Sequence, residues 1–495
     1  MDDFLTPDYL PLFQTTRTCP YSCAFCTSGR DNAKLRAFPV DVVTEEIDYL
    51  AKKYKDHPQK LLFNTDDNFG VYKKRDLEVA RHLVKSKEMV GYPQQIFCYF
   101  DKNASTTISE LALLISGMNS GGGQLAFQSF NDNSLQAIKR KNMNNDQVIA
   151  VMNWARENKL KTFAEMIFGL PFETKKSYLD ALDFLLKIKV DRIWVHNLIM
   201  LNGIEMNRKA ERERFEVVTK YRPSHSSEYG IVDGDFVCEG NEIVVSTAHA
   251  SQEDFMDIRK ICLVNHVVSL GYFKQVINFL VDKNKKVVPL YEYIMSLSGK
   301  DAFSKDYHSY VQEFIDAAES ELSDSYEEVK SKLQEKFVRD GNQVMKATRL
   351  NPYFGSRMIY KESWLGEVIF KYFEENNIFA AGEAEIFRDL VIIGENEWVD
   401  LIRPDLSKEI TVSAETIKYL KYDVEPGQKT YTLKMETSKV QLEMIEGYKK
   451  QYCAEESSLD DSFYFNVLDA IQPRTMLIYQ NISMSPKVEL ESAGV

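Results

Sequence analysis

Three cysteines stand close together near the start of the chain, in the run Cys19-Pro20-Tyr21-Ser22-Cys23-Ala24-Phe25-Cys26, spaced four and then three residues apart. Thiolates this near to one another hold metal. A closed structural zinc site wants four ligands and usually draws them from two short pairs, whereas three thiolates in one loop can take one face of a cubane iron–sulfur cluster. No second pair follows. The remaining cysteines, Cys98, Cys238, Cys262 and Cys453, are scattered singly. The pattern therefore implies a cluster bound through Cys19, Cys23 and Cys26 with one iron left open, and an open iron implies chemistry rather than scaffolding.

The elements around this loop must place it. Leu10 to Thr16 can form a strand that delivers Arg17-Thr18-Cys19 to its end, and Pro39 to Tyr54 carries Val43, Ile47, Leu50 and Tyr54 at helical spacing. Strand-like runs then begin at Lys60, Gln95, Gln124, Lys161 and Arg192, about 30 to 37 residues apart, with helical patterns between them. That is the period of βα units joined by right-handed crossovers. The expected fold class is α/β: a partial (βα)6 TIM-like barrel of parallel strands over residues 1–205. A small antiparallel addition over 206–250, a mainly helical region over 251–400 and a mixed α/β region over 401–495 are expected to follow. Tyr229 to Cys238 reads as a hairpin, Ser251 to Asp254 as a capping box, and Lys418 to Val424 with Thr430 to Met435 as a second hairpin before an end that frays after about 480. In a parallel barrel the chemistry sits where the βα loops converge, at the carboxyl ends of the strands. The cysteine loop follows the first strand, as that rule requires.

The C-x3-C-x2-C spacing, with Phe25 just before the third cysteine, resembles the signature of the radical S-adenosylmethionine (SAM) superfamily. The resemblance implies a 4Fe-4S cluster on the three cysteines, with SAM chelating the fourth iron and cleaved reductively to a 5'-deoxyadenosyl radical. Two further stretches are similar to the cobalamin-associated branch: Gln128-Ser129 followed by Leu135, Ile138 and Arg140, and Gly169-Leu170-Pro171-Phe172-Glu173-Thr174, where Phe172 replaces a glycine. By this resemblance Asp66 and Asp67 contact the SAM ammonium, Gln128 or Ser129 faces its ribose and carboxylate, Glu165 on the fifth strand lines the adenine pocket, and Phe25 packs near adenine. His196 would touch adenine or substrate, or serve as a core residue. An Asx turn capping the next helix is the structural alternative for Asp66 and Asp67, and helix initiation is the one for Glu173 and Thr174. The Ser120-Gly121-Gly122-Gly123 run reads as a tight turn.

With 61 Lys and Arg against 74 Asp and Glu, the net charge of −13 argues against nucleic acid as the main partner. No apolar stretch is long enough to span a bilayer, so a cytoplasmic protein without a membrane partner is expected. The family reading implies an unknown substrate, small-molecule or other, and an electron donor such as flavodoxin or ferredoxin. It leaves cobalamin open: the branch usually carries a cobalamin-binding domain before the barrel, and here that domain would be lost, cut away or supplied by a separate cobalamin-binding partner. The expected function is radical modification of that substrate, including methylation. The alternatives are a methylthiotransferase-like RNA-modifying enzyme, or a non-catalytic iron–sulfur or zinc protein that docks partners through its helical half.

Overall fold

A computed structural model describes residues 9–29, 34–57, 60–102, 106–119, 123–224, 229–301, 303–340, 349–378, 380, 382–452, 464, 478 and 481–486. The chain divides into two compact units, Met1–Thr219 with Glu242–Phe255, and Lys220–Asn241 with Met256–Val495.

The first unit alternates strands and helices: β1 (Leu12–Phe13), α1 (Val40–Tyr54), β2 (Leu61–Asn64), α2 (Lys73–Val90), β3 (Gln95–Phe97), α3 (Thr106–Leu114), β4 (Gly123–Gln128), α4 (Asp132–Ala137), α5 (Asn145–Glu157), β5 (Thr162–Phe168), α6 (Lys175–Lys187) and β6 (Arg192–Asn197). Every ladder between these strands is parallel, β1 with β2, β2 with β3, β4 with β5 and β5 with β6. A parallel bridge from Ile96 to Asn119, with the Ile96 N–H donating to the Met118 carbonyl at 2.7 Å, sets the end of the α3 segment beside β3. Six parallel strands thus follow one another in chain order as an open, partial barrel, in the rhythm expected from the sequence.

The strands form because their two faces meet different surroundings. On β5, Ala164, Met166 and Phe168 are buried while Glu165 and Ile167 are half-buried on the opposite face. The helix-side face is covered by α6, whose Tyr178 meets Phe168 edge-on at 5.3 Å. α1 buries Val43, Ile47, Leu50 and Tyr54, one helical stripe. The other face of the barrel is aromatic. Phe63 stacks on Phe97 at 4.8 Å, Phe97 meets Tyr99 edge-on, and Phe163 packs against Trp194, which stays 42% exposed.

In the second unit, Gly230–Val232 pairs antiparallel with Asp235–Val237 as the hairpin reading anticipates. Helices from Lys274–Asp282 to Glu383–Asn396 build most of the rest. Glu321 accepts from the guanidinium groups of Arg222 and Arg259, each at 3.1 Å, all three side chains buried. The carboxy-terminal part corrects the reading of a second hairpin. Thr430–Glu436 pairs not with residues 418–424 but with Lys408–Ser413, and Asn481–Pro486 completes a three-stranded antiparallel sheet on its other side instead of fraying. The reason is local: the Ser413 hydroxyl accepts the Thr416 N–H and caps the short helix Ala414–Tyr419, which takes up Lys418 and Tyr419, and the chain turns at Leu420 and Lys421 instead of extending. Among the described residues no helix is long and apolar enough to cross a membrane. Cys453 and the Ser120–Gly122 turn lie outside the described residues.

Candidate active site

The cysteine loop leaves β1 through Thr18, which adopts a left-handed φ of 69°, and is gripped by the loops after the next strands. From the loop after β2, the Asn68 amide donates to Cys19 Sγ at 2.9 Å and Asp67 accepts from the Ser28 hydroxyl at 2.8 Å. From the end of β3, Asp101 accepts the Tyr21 hydroxyl at 2.5 Å, and the Lys102 ammonium lies 3.8 Å from the Tyr21 ring centroid. From the segment after β4, the Ile138 carbonyl accepts the Ala24 N–H at 3.0 Å, and the Arg140 guanidinium lies 3.9 Å from Cys23 Sγ. Gly29 closes the loop because a Cβ there would overlap the Tyr21 carbonyl oxygen. Convergence at the carboxyl ends of parallel strands is what places all of these groups on one short loop.

The three thiols are half-buried and free. Burial pushes the Cys19 thiol up, against the opposing pull of the Tyr21 backbone N–H and the Asn68 amide. Burial likewise lowers the Lys102 ammonium, while its attraction to Cys23 acts the other way. Among the described residues no three Cys, His, Asp or Glu side chains converge on a single point as a mononuclear metal site. A cubane asks for something different, one thiolate on each of three irons, so its ligands stand apart. Three free thiols, each beside an N–H or a cation, fit such a cluster in donor chemistry and in charge.

The residues singled out from the sequence fall in distinct environments. Asp66 is 1% exposed, and its carboxylate accepts the Thr15 and Thr16 N–H groups at 2.7 and 2.8 Å together with the Thr15 hydroxyl. It clamps the end of β1. Asp67 is exposed beside Ser28. Gln128 closes β4 at a bulge with φ 68°, buried, and its Oε1 has no partner. Ser129 is buried and donates to Glu173, which also accepts from Ser177. Burial raises the Glu173 carboxyl, and those two hydroxyls pull it back. Glu165 and His196 lie on the aromatic inner face: Glu165 is opposite Trp194 in the β5–β6 register and adds to the upward push that burial exerts on Tyr99, while His196 is exposed and meets Trp194 edge-on. Phe25 packs against the cluster of Ala24, Leu135 and Ile138.

Three buried polar atoms without partners lie at these strand ends: Thr18 Oγ1 after β1, Asn64 Nδ2 at the end of β2 and Gln128 Oε1 at the end of β4. An unpaired buried donor or acceptor costs about 1–3 kcal/mol, so a polar ligand that bonded them would recover that energy. These atoms suit a zwitterionic nucleoside such as SAM. Sequence reasoning missed Asn68, Lys102 and the nearness of Arg140 to Cys23. Asn68 stands within Asp66-Asp67-Asn68-Phe69, directly after the two acids.

Phe172, standing where the resembling motif has glycine, takes φ 62°. Its ring compensates by packing edge-on against Phe215 at 5.8 Å and beside His249 at 4.7 Å. Phe172→Gly and Phe172→Ala both lose that packing, so their difference reports the backbone alone. The left-handed penalty of about 1–2 kcal/mol on alanine outweighs the extra freedom glycine has when unfolded, about 0.4–1 kcal/mol. The glycine variant is therefore expected to be more stable in urea unfolding by roughly 0.5–1 kcal/mol. Equal stability, or a more stable alanine variant, would contradict a strained Phe172.

The site and fold together define a partial parallel barrel with a three-thiol loop at the end of its first strand. Residues 13–185 match the model of the radical SAM superfamily. That segment, about a third of the chain, is similar to the superfamily. Over 259 residues it is 30% identical to 2-(S-pantetheinyl)-carbapenam-3-carboxylate methyltransferase of Streptantibioticus cattleyicolor, covering 50% of this chain and 36% of the relative. Over 249 residues it is 30% identical to the cobalamin-dependent radical SAM methyltransferase TokK of Streptomyces tokunonensis, covering 48% and 34%. The chain thus spans about a third of the length of these curated relatives. Among solved structures it resembles the radical SAM methyltransferase TsrM of Kitasatospora setae, with a TM-score of 0.35 and 15% identity over 46% of this chain and 42% of that one. Coproporphyrinogen III oxidase of Escherichia coli gives a TM-score of 0.33 and 18% identity over 48% and 52%.

Proposed function

We propose that this chain is a radical SAM enzyme that carries out a radical modification, methyl transfer in particular, on a substrate held against the aromatic inner face of its barrel. The observation that carries this reading is the cysteine loop itself: free thiols at the end of the first parallel strand, with neighbouring strand-end loops supplying a donor to Cys19 and a cation beside Cys23. Cys19, Cys23 and Cys26 would hold the cluster. A 4Fe-4S cluster held there would supply the single electron that reductive cleavage of SAM requires. Lys102 and Arg140 offset the negative charge that three thiolates concentrate on the loop. Thr18, Asn64 and Gln128 offer buried polar atoms to SAM, and the exposed Asp67 carboxylate suits its ammonium. Asp66 acts by holding β1. Phe63, Phe97, Tyr99 and Trp194 offer the substrate an apolar face, with Glu165 and His196 as the polar groups on it. A cytoplasmic location and a flavodoxin- or ferredoxin-type reductant complete the reading.

The test is anaerobic reconstitution with iron and sulfide, reduction, addition of SAM and assay of 5'-deoxyadenosine. Formation of the product is expected; a fully loaded cluster that releases none would sink the proposal. Methyl transfer of the relatives' kind also asks where cobalamin sits. Equilibration with hydroxocobalamin, desalting and cobalt analysis test this: one cobalt per chain assigns the cofactor to this polypeptide, and none removes this polypeptide alone as its carrier.

A further inference from the structure

We propose that Asn68 is a positioning residue that sets the reduction potential of the cluster through Cys19. The role rests on the cluster reading above and extends it to a side chain outside the ligand set. Its amide nitrogen stands 2.9 Å from Cys19 Sγ, whereas the Ser28 N–H reaches Cys26 Sγ at 3.4 Å and the Arg140 guanidinium reaches Cys23 Sγ at 3.9 Å. Of these three donors, Asn68 makes the closest approach to sulfur, and it does so from a buried position at 7% exposure.

The loop that carries it is held independently of any cluster. Two residues before it, Asp66 is clamped to Thr15 and Thr16. Immediately after it, the Phe69 N–H donates to the Tyr99 carbonyl at 2.7 Å and the Phe69 carbonyl accepts the Asp101 N–H at 3.0 Å. The Gly70 N–H then donates to Asp76 at 2.9 Å. An amide fixed on both sides needs no reorganisation when a thiolate ligand forms beside it. A donor at a ligand sulfur withdraws charge from the cluster and so favours the more negative, reduced state, which raises the potential. The same bond orients Cys19 within the loop.

Two variants separate tuning from simple support. Asn68→Ala removes the side-chain donor and leaves the Tyr21 N–H at Cys19, and Asn68→Asp keeps the shape while placing negative charge against the sulfur. With iron and sulfide reconstituted and SAM absent, an EPR-monitored redox titration is expected to show a several-fold smaller ratio of reduced to oxidised cluster for Asn68→Ala at a fixed solution potential. For Asn68→Asp the loss is expected to reach about tenfold or more, equivalent to about 59 mV for one electron. A merely structural role would lower iron content and leave the potential of the loaded fraction where it was. Loaded variants that titrate with the wild type overturn the role of Asn68 alone. Wild-type protein that takes up no cluster overturns the reading beneath it. Should neither variant hold iron, wild-type protein with asparagine labelled with nitrogen-15 at the side chain decides. Hyperfine coupling of one such nitrogen to the reduced cluster is expected, and its absence overturns the proposal.

Discussion

Cys23→Ala is expected to abolish 5'-deoxyadenosine formation while leaving the fold in place. The backbone beside Cys23 is pinned by groups that the substitution does not touch. The Ala24 N–H donates to Ile138, the Ala24 carbonyl accepts the Met206 N–H at 3.1 Å, and the Ala24 side chain is buried with Leu135 and Leu170. The Cys23 thiol is half-buried, and the Arg140 guanidinium beside it bonds elsewhere to Asn142 and the Ala126 carbonyl. Loss of the thiol should therefore change unfolding free energy by only about 0.5 kcal/mol, as for substitutions outside the core. The effect on the cofactor is of another order. Removing an outer-shell partner of a metal typically lowers affinity or activity about 10–100-fold, and removing a ligand itself should exceed that. Iron content after reconstitution and product formation read the outcome together. A variant with full iron and wild-type product would show that Cys23 is not a ligand.

How much of this was legible in the sequence follows from the range of the interactions involved. The strand rhythm and the position of the cysteine loop depend on local patterning, period two in strands and 3.6 in helices, and residues 61–64, 95–97, 162–168 and 192–197 fall inside the strands it anticipates. The partners of Asp66 and Asn68 depend on pairings about 50 residues apart in the chain. Nothing in Asp66-Asp67-Asn68 distinguishes a carboxylate turned inward to the exposed N–H groups of a neighbouring strand from one turned outward to a ligand. Only the sheet makes that choice. Phe172 is a middle case: a motif with glycine at that position hints at a left-handed turn, but the ring contacts that compensate come from Phe215 and His249, well along the chain. The carboxy-terminal sheet misled for a related reason, since a serine cap at Ser413 outweighed the strand propensity of the residues after it.

The buried Asp66 carries the second large effect. Asp66→Ala leaves the N–H groups of Thr15 and Thr16, residues that are 0% and 2% exposed, without their acceptor. Each orphaned buried donor costs about 1–3 kcal/mol, so a loss of about 3 kcal/mol in urea unfolding of the first unit is expected. Asp66→Asn keeps the oxygen that both N–H groups share and changes only the partner of the Thr15 hydroxyl, which can turn to accept, so about 1 kcal/mol should be lost. Arg75 sharpens the contrast. Its guanidinium bonds the Thr15 carbonyl at 2.7 Å and the Thr15 hydroxyl at 3.1 Å, so it holds the strand from the other side but supplies no acceptor for the freed N–H groups. Thr15 and Thr16 lead directly into Thr18 and Cys19, and a strand end released there moves the first thiol of the loop. Asp66→Ala should thus lose both stability and iron, whereas Asp66→Asn keeps most of each. Were alanine to cost less than about 0.5 kcal/mol, Asp66 would not be the clamp at the end of β1, and a direct contact from its carboxylate to the SAM ammonium would regain its force.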